Sequence, residues 1–247
     1  MNSTEACRTA IDNLEKVIGV FEQELEKPVL IHGAFIYNRP MVKHVCLLKG
    51  VRIVSGLNAL MVLFEAGYVT EMGVVMRTIS DCINAIYFLL ENFPQTTPEV
   101  EQYVSNFFSE VLDEPEIAPS LGKKRYRTKV KKIHASRARL LSEHVNFAVG
   151  RDMVYQNYSA YSGYVHASYP NIMEIYGGEP PYKFHPKGIK ETSRIKDWEE
   201  VFIAFIQNAI LVFGYMAEKY DKADLIQEIR RIMGLFDKAI AYLEPGT

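Results

Sequence analysis

The sequence predicts an all-α domain built as a bundle of about seven or eight helices. Apolar residues recur every three or four positions through most of the 247 residues, which is the spacing of one helix face. No segment alternates strand and helix patterns as a βαβ unit does. Hydrophobic residues make up 48% of the chain and charged residues 23%, a composition typical of a packed globular protein. A chain of this length can bury a large core without a disulfide or metal staple.

Glycine and proline divide this pattern into predicted helices. The helices cover residues 4–25, 41–66, 70–92, 98–112, 128–148, 152–167, 197–220 and 223–243. The first is amphipathic, with Ile11, Leu14 and Ile18 on one face. Gly67 suits the C-terminal cap of the second helix, and Thr70 suits the N-cap of the third. Because the connection between them is so short, these two long helices are expected to be antiparallel neighbours at the centre of the fold.

Further breaks shape the second half of the chain. Pro119 and Gly122 interrupt the pattern before the fifth helix, and Gly150 is predicted to separate the fifth from the sixth. Glycines and prolines cluster at 168–194, which predicts a lid, a small hairpin or a mobile segment. Asp197 is the predicted N-cap of the seventh helix.

All these helices are assigned to one domain, 1–247, with core helices at about 41–167 and C-terminal helices at about 197–243. The three cysteines are far apart and form no Cys-x-x-Cys pair, which is typical of buried thiols in a reducing cytoplasm. The first residues have no features of a signal peptide. The most apolar run, 201–217, contains two amide side chains and is shorter than a membrane span. We therefore expect a cytoplasmic protein without membrane association.

Positive charge is concentrated in one segment. Nine of the 28 Lys and Arg residues lie between Lys123 and Arg139, here named the basic block, and residues 117–142 contain no Asp or Glu. Clustered cations attract phosphate groups. The block predicts an anionic partner, RNA or another phosphate-rich ligand, with Lys123, Lys124 and Arg125 among the binding residues. The alternative is an ordinary solvated face.

The pair Arg137 and His144 is a candidate for phosphodiester chemistry. On one helix, a separation of seven places the two side chains about 20° apart, whereas Arg139 would point about 140° away from His144. A guanidinium can hold a phosphate and an imidazole can transfer a proton. Together they suit metal-independent RNA cleavage, in which the 2′-hydroxyl attacks its own phosphodiester. The alternative is a solvated helix face where the spacing arose by chance.

A second candidate is the pair Arg77 and Asp81, the only charges in 73–90. Their i, i+4 spacing allows an ion pair on the helix surface. If the helix is central, the pair is partly buried and needs a polar group opposite it. The alternative is a structural ion pair or a solvent-facing stripe.

The third candidate is a stripe along one face of the sixth predicted helix. It comprises Tyr155, Tyr158, Ser162 and His166. Hydroxyls and an imidazole on one stripe predict a polar pocket, and aromatic rings can stack on bases. The alternative is a surface where tyrosines bury their rings and expose their hydroxyls.

Several common chemistries are not indicated. The sequence has no Gly-rich phosphate loop, Gly-x-Ser-x-Gly or His-Glu-x-x-His motif. None of the six histidines follows a Glu by three positions, as di-iron bundles require. The three cysteines, which are far apart, do not provide the thiolate ligands of a structural zinc site. We therefore expect no metal and no cofactor.

Two of the candidates resemble a pattern in an uncharacterised family of bacterial all-α proteins. That pattern is an Arg followed four residues later by an acid, then Tyr-x-x-x-Ser-x-x-x-His-x-Ser far downstream. The matching residues are Arg77, Asp81, Tyr158, Ser162, His166 and Ser168. The resemblance covers about 43–168. Such proteins look like distant relatives of the HEPN superfamily of helical bundles, many of which act on RNA in toxin–antitoxin and phage-defence systems, commonly as dimers.

The HEPN signature itself is an Arg with four to six residues before a His. It is similar to Arg137 or Arg139 with His144. The resemblance implies an HEPN-like homodimer that binds RNA or another phosphate-rich ligand. Endoribonuclease activity is the lesser expectation, with His144 or His166 as the base and Arg137 or Arg77 as the phosphate clamp. The alternative class is a non-catalytic helical scaffold or a small-molecule sensor.

Overall fold

The structure, a computed structural model, describes residues 3–31, 34–108 and 128–241. Within these residues, the helices are α1 (Ser3–Gln23), α2 (Val42–Ala66), α3 (Val69–Leu90), α4 (Pro98–Phe108), α5 (Val130–Leu141), α6 (Phe147–Val165), α7 (Tyr169–Ile172), α8 (Ile195–Lys219) and α9 (Ala223–Ala241). Two antiparallel hairpins pair β1 (Val29–Ile31) with β2 (Ala34–Ile36) and β3 (Tyr176–Gly177) with β4 (Lys183–Phe184). The predicted all-α class is confirmed.

Helices α2 and α3 pack against each other along their length, as predicted. Gly67 ends α2 in the left-handed conformation, with φ of 78°, and its N–H bonds the carbonyls of Leu63 and Phe64. An added Cβ there would overlap the backbone of Lys190. The carbonyl of Gly67 also accepts from Ile189 N at 2.8 Å. Glycine therefore serves both the turn and the close approach of the later loop.

Helix α3 lies at the centre of the bundle, in contact with α2, α5, α6 and α8. Its inner face is fully buried at Met72, Met76, Ile79 and Ile86. Burying an apolar side chain of this size contributes about 1.5–3 kcal/mol. Two polar side chains of α3 reach neighbouring helices, Arg77 towards Tyr158 of α6 and Asn84 towards Arg137 of α5.

The boundary between the fifth and sixth helices lies at a different position in the structure from the one predicted. The helix expected at 128–148 ends at Leu141, and α6 begins at Phe147 behind Asn146, whose side chain accepts from Ala148 N at 2.9 Å. The prediction that Gly150 separates two helices is wrong, since it lies inside α6. An added Cβ at Gly150 would lie 3.2 Å from the Ala138 carbonyl oxygen, so this glycine permits close packing of α6 on α5.

Two predicted caps are also wrong. Thr70 lies in the first turn of α3, which begins after Tyr68, and its hydroxyl donates to Glu71 at 2.7 Å. Asp197 lies in the first turn of α8, which begins after Arg194. A carboxylate is favourable there because it faces the positive end of the helix dipole.

The segment 168–194 contains α7, a 3₁₀ turn and the β3–β4 hairpin, so of the three alternatives the small hairpin is confirmed. The ends of the predicted helices at 109–112 and 242–243 lie outside the described residues. By length and composition alone, α2, α3 and α8 could each cross a membrane. In this structure, 56%, 72% and 50% of their apolar windows are buried within the protein.

Candidate functional site

The described part of the basic block is carried by α5 and the residues before it. Lys123, Lys124 and Arg125 lie outside the described residues. Lys132 pairs with Glu99 at 2.8 Å. The block is therefore partly neutralised by acids from elsewhere in the chain, which its acid-free sequence did not indicate.

Glu91, at the end of α3, fixes the position of α5. Its carboxylate accepts from Arg139 Nη2 and from Ser136 Oγ, both at 2.7 Å, and Arg139 Nε donates to it as well. Its carbonyl accepts from Lys219 Nζ of α8 at 3.1 Å. These contacts, those with Arg139 foremost, hold the pKa of Glu91 below its ordinary value. Glu91 thereby joins α3, α5 and α8 at one end of the site.

Arg137 extends from α5 between α3 and α8. Its Nη1 donates to Asn84 Oδ1 at 3.2 Å and its Nη2 to Asn208 Oδ1 at 2.9 Å. The guanidinium carbon lies 6.0 Å from the ring centroid of Tyr87. Desolvation of the guanidinium lowers the pKa of Arg137 from its ordinary value. A guanidinium nevertheless stays charged in proteins at neutral pH. No carboxylate among the described residues pairs with it, so the charge is met only by neutral amides and a ring.

Beside Arg137, a cavity of about 430 Å³ lies between α5, α8 and α9. Buried Tyr87 and Ile210 form its inner end. Exposed side chains form its rim: Glu143, His144, Glu218 and Arg230. Arg137 and His144 therefore line the same cavity, although His144 follows the end of α5 and the helical phase that paired them in the sequence does not extend that far.

A smaller cavity of about 210 Å³ lies on the other side of the guanidinium, between α3, α6 and α8. Arg137 and Asn208 line both cavities, and Ser80 and Tyr161 line the smaller one. Arg137 thus lies between the two cavities.

The Arg77–Asp81 ion pair forms as predicted, with 13% of the Arg77 side chain and 50% of the Asp81 side chain exposed. The guanidinium carbon of Arg77 lies 3.9 Å from the ring centroid of Tyr158 on α6. Buried His134 on α5 packs edge-on against the same ring, at 4.9 Å between centroids. Desolvation lowers the pKa of His134, because the nearby Asp81 compensates only in part. This cluster, one turn from Arg137 on α5, joins three helices.

The predicted polar stripe on α6 does not form one pocket. Tyr155 is 60% exposed, and His166 is an exposed residue at the end of α6 whose N–H bonds the Ser162 carbonyl at 3.2 Å. Within the described part of the chain, no hydrogen bond, ion pair or ring contact joins His166 to Arg77 or Asp81. Of the four stripe residues, only Tyr158 contacts the Arg77–Asp81 pair. The histidine that lies beside this pair is His134 of α5, and not His166 as predicted.

The sequence predicted no site role for His134 or Asn208, although it carried a signal for each. His134 precedes Arg137 by three positions, which places both on one helix face. Asn208 interrupts an otherwise apolar run, and a buried amide requires a hydrogen-bond partner.

No group of three or more His, Cys, Asp or Glu side chains in the described ranges is placed to hold a metal ion. Comparisons of the chain with protein-family models, with curated proteins and with solved structures found no match. The resemblance to HEPN proteins, the RNA ligand, the homodimer and the cytoplasmic location accordingly stay predictions from the sequence.

Proposed function

We propose that this protein binds RNA or another phosphate-rich ligand, with Arg137 as its innermost phosphate contact. The observation that carries the proposal is a partly buried guanidinium that donates to two neutral amides and has no carboxylate partner among the described residues. Placing a charge away from water costs several kcal/mol when no opposite charge accompanies it. A phosphate oxygen in the adjoining cavity supplies that charge, and its geometry matches the donors of a guanidinium.

Other cations of the basic block supply the longer-range attraction. Lys129 and Lys131 are exposed and pair with no acid in the described part of the chain. Exposed cations of this kind raise the local concentration of a polyanion and make its affinity fall with added salt. The role of Lys123, Lys124 and Arg125 in this attraction rests on their sequence alone.

Salt-dependent binding of a short single-stranded RNA tests the proposal. We expect affinity to fall steeply with salt and to fall at least about tenfold in Arg137→Gln, which removes the charge but keeps a polar side chain. Arg151→Gln is the matched control, because Arg151 is exposed on α6 and pairs with its neighbour Asp152, and its effect should stay within about twofold. Absence of binding at low salt, or equal losses in both variants, would contradict the proposal.

Metal-independent RNA cleavage is a second candidate, favoured by the placement of His144 and Arg137 on one cavity. His144 would take the proton of the 2′-hydroxyl as its oxygen bonds to phosphorus. The P–O5′ bond would break as the 5′-oxygen takes a proton from water, giving a 2′,3′-cyclic phosphate and a 5′-hydroxyl, while Arg137 stabilises the added charge. Cleavage that survives both His144→Ala and His166→Ala would exclude these bases.

Within this proposal the protein is an HEPN-like cytoplasmic homodimer. Val149 and Met153, four residues apart on α6, expose apolar side chains on the same helix face, and this supports the dimer. Analytical ultracentrifugation tests it: we expect a dimer that dissociates in Met153→Glu. A monomer at every concentration would refute this part alone.

The alternative class, a scaffold or small-molecule sensor, is favoured by the apolar wall of the same cavity. Ile210, Ile229 and Met233 contribute to that wall. A protein that binds no RNA at low salt but keeps its fold would belong to this class.

A further inference from the structure

The cavity beside Arg137 is small and has one cation at its inner end. Its volume of about 430 Å³ lies near the lower end of the range for small-ligand sites, about 300–1,000 Å³. Of the two arginines that line it, Arg230 is exposed at the rim, whereas Arg137 is only partly exposed and donates to Asn84 and Asn208. One compact anionic group therefore suits the single cation at this end of the cavity.

The rim is poorly suited to a continuous phosphate backbone. The carboxylates of Glu143 and Glu218 are exposed there, beside His144 and Arg230. A chain of phosphates crossing the rim would meet two like charges, which disfavours it. Uncharged hydroxyl and amino groups, by contrast, can donate hydrogen bonds to these carboxylates. The rim thus favours a ligand whose charge is confined to its inner end.

The walls between the inner end and the rim suit a flat ring. Tyr215 is partly exposed there, and its ring contacts that of buried Tyr87 at the inner end, with centroids 5.0 Å apart and planes tilted by 54°. Ile229 and Met233 of α9 contribute to the apolar surface of the wall. Aromatic and apolar walls of this kind hold nucleobases by stacking and by excluding water.

From this gradient of charge and polarity, we infer that the cavity binds a single nucleotide with one phosphate. The phosphate lies at Arg137, and the sugar and base extend towards the rim carboxylates. The source is either a free nucleoside monophosphate or the terminal nucleotide of an RNA chain. The inference rests on the proposed function, because it takes Arg137 as the phosphate contact.

Titration calorimetry distinguishes these sources. The ligands are the four nucleoside 5′-monophosphates, their triphosphates and inorganic phosphate. One short RNA sequence is titrated as well, in three forms: with hydroxyl groups at both ends, with a 5′-phosphate, and with a 3′-phosphate. We expect at least one monophosphate to bind at least about tenfold more tightly than its triphosphate and than inorganic phosphate. If the natural source is an RNA end, one terminally phosphorylated RNA binds about tenfold more tightly than the hydroxyl-ended form. If it is the free nucleotide, the three RNAs bind with equal affinity.

A second variant tests the cavity without altering charge. A Cβ added to Gly214 would meet only Ile229 Cγ2, at an ordinary contact distance of 3.6 Å, and Gly214 lines the cavity, so we expect the side chain of Gly214→Leu to occupy the cavity. We expect it to abolish monophosphate binding, and we expect Glu218→Gln to narrow the preference for monophosphate over triphosphate. Gly234→Leu is the matched control, because an added Cβ there has no neighbour within 4 Å.

The two proposals fail in different ways. If RNA binding depends on Arg137 but no monophosphate binds, the single-nucleotide inference is wrong and the proposed function stands. Monophosphate binding that is unchanged in Gly214→Leu would also overturn the inference. If neither RNA nor monophosphate binds to the folded protein, both proposals are wrong.

Discussion

Replacing Asn84 by Asp would give Arg137 the counter-charge that it lacks. Asn84 is only 4% exposed, and its Oδ1 accepts from Arg137 Nη1 at 3.2 Å. The carboxylate of Asn84→Asp has nearly the shape of the amide that it replaces. The substitution therefore changes charge at this contact while it preserves packing.

The expected magnitude follows from the contact distance. Opposite unit charges about 4 Å apart attract by about 4 kcal/mol at an effective dielectric constant of about 20. Desolvation of the new carboxylate offsets much of this gain. We expect Asn84→Asp to raise the free energy of unfolding by about 1–2 kcal/mol at neutral pH. Asn84→Leu, which removes the acceptor, should lower it by about 1–3 kcal/mol.

Urea denaturation followed by the fluorescence of Trp198 measures both effects, and RNA titration measures affinity. An internal carboxylate competes with phosphate for Arg137, so Asn84→Asp should be more stable than the native protein yet bind RNA at least about tenfold more weakly. Opposite changes in stability and affinity are hard to obtain from general damage to the fold. Equal destabilisation by Asn84→Asp and Asn84→Leu would refute the reasoning that Arg137 is uncompensated.

Three further predictions concern packing and pH. An added Cβ in Gly73→Ala would overlap the ring of Tyr164, so despite its better helix propensity the variant should lose about 1–2 kcal/mol in urea denaturation. Glu91→Gln weakens the contacts with Arg139 and should cost about 1 kcal/mol, since the pair is partly exposed. Because the pKa of Glu91 is lowered in the fold, this loss should be full above pH 4.5 and fade as the pH falls below it. Burial lowers the pKa of His134 below 6.5, so as the pH falls His134 takes up a proton in the unfolded chain before it does so in the folded protein. The free energy of unfolding should therefore decline as the pH falls from about 7 towards 5. This decline should be smaller in His134→Gln.

Each of these predictions has its own control. Gly19→Ala should stabilise the protein by about 0.5–1 kcal/mol, because an added Cβ has no neighbour within 4 Å; equal effects at Gly19 and Gly73 would contradict the packing account. A constant effect of Glu91→Gln down to about pH 3 would contradict the ionic contribution. His44 also has a pKa lowered by burial, so some decline should persist in His134→Gln, and an unchanged decline would show that His134 contributes nothing.

Helix content and the central pair of helices were predictable because their determinants are local. Periodic apolar residues define α2 and α3, and Gly67 ends α2 where a left-handed residue is needed. The boundary between α5 and α6 was missed because Gly150 serves packing between helices, which a local pattern does not encode. Tertiary contact decided whether that glycine broke a helix or let two helices approach.

The candidate site was predictable only where its residues share a helix. Arg77 and Asp81 form one ion pair at i, i+4 spacing, as the sequence indicated. The acceptors of Arg137 lie 53 and 71 residues away in sequence, so the spacing around Arg137 carried no information about them. His134, and not His166, lies in the Arg77 cluster for the same reason, because its position depends on how α5 packs against α3 and α6.

The most direct test of the account is whether a phosphate ligand contacts the Arg137 side chain. In a ¹⁵N-labelled protein, the Nε–H resonance of Arg137 can be assigned by its disappearance in Arg137→Gln and followed during titration with RNA or a nucleoside monophosphate. We predict a progressive shift of this resonance that saturates with binding, while that of Arg151 stays in place. A ligand that binds and leaves the Arg137 resonance unmoved would contradict the central claim.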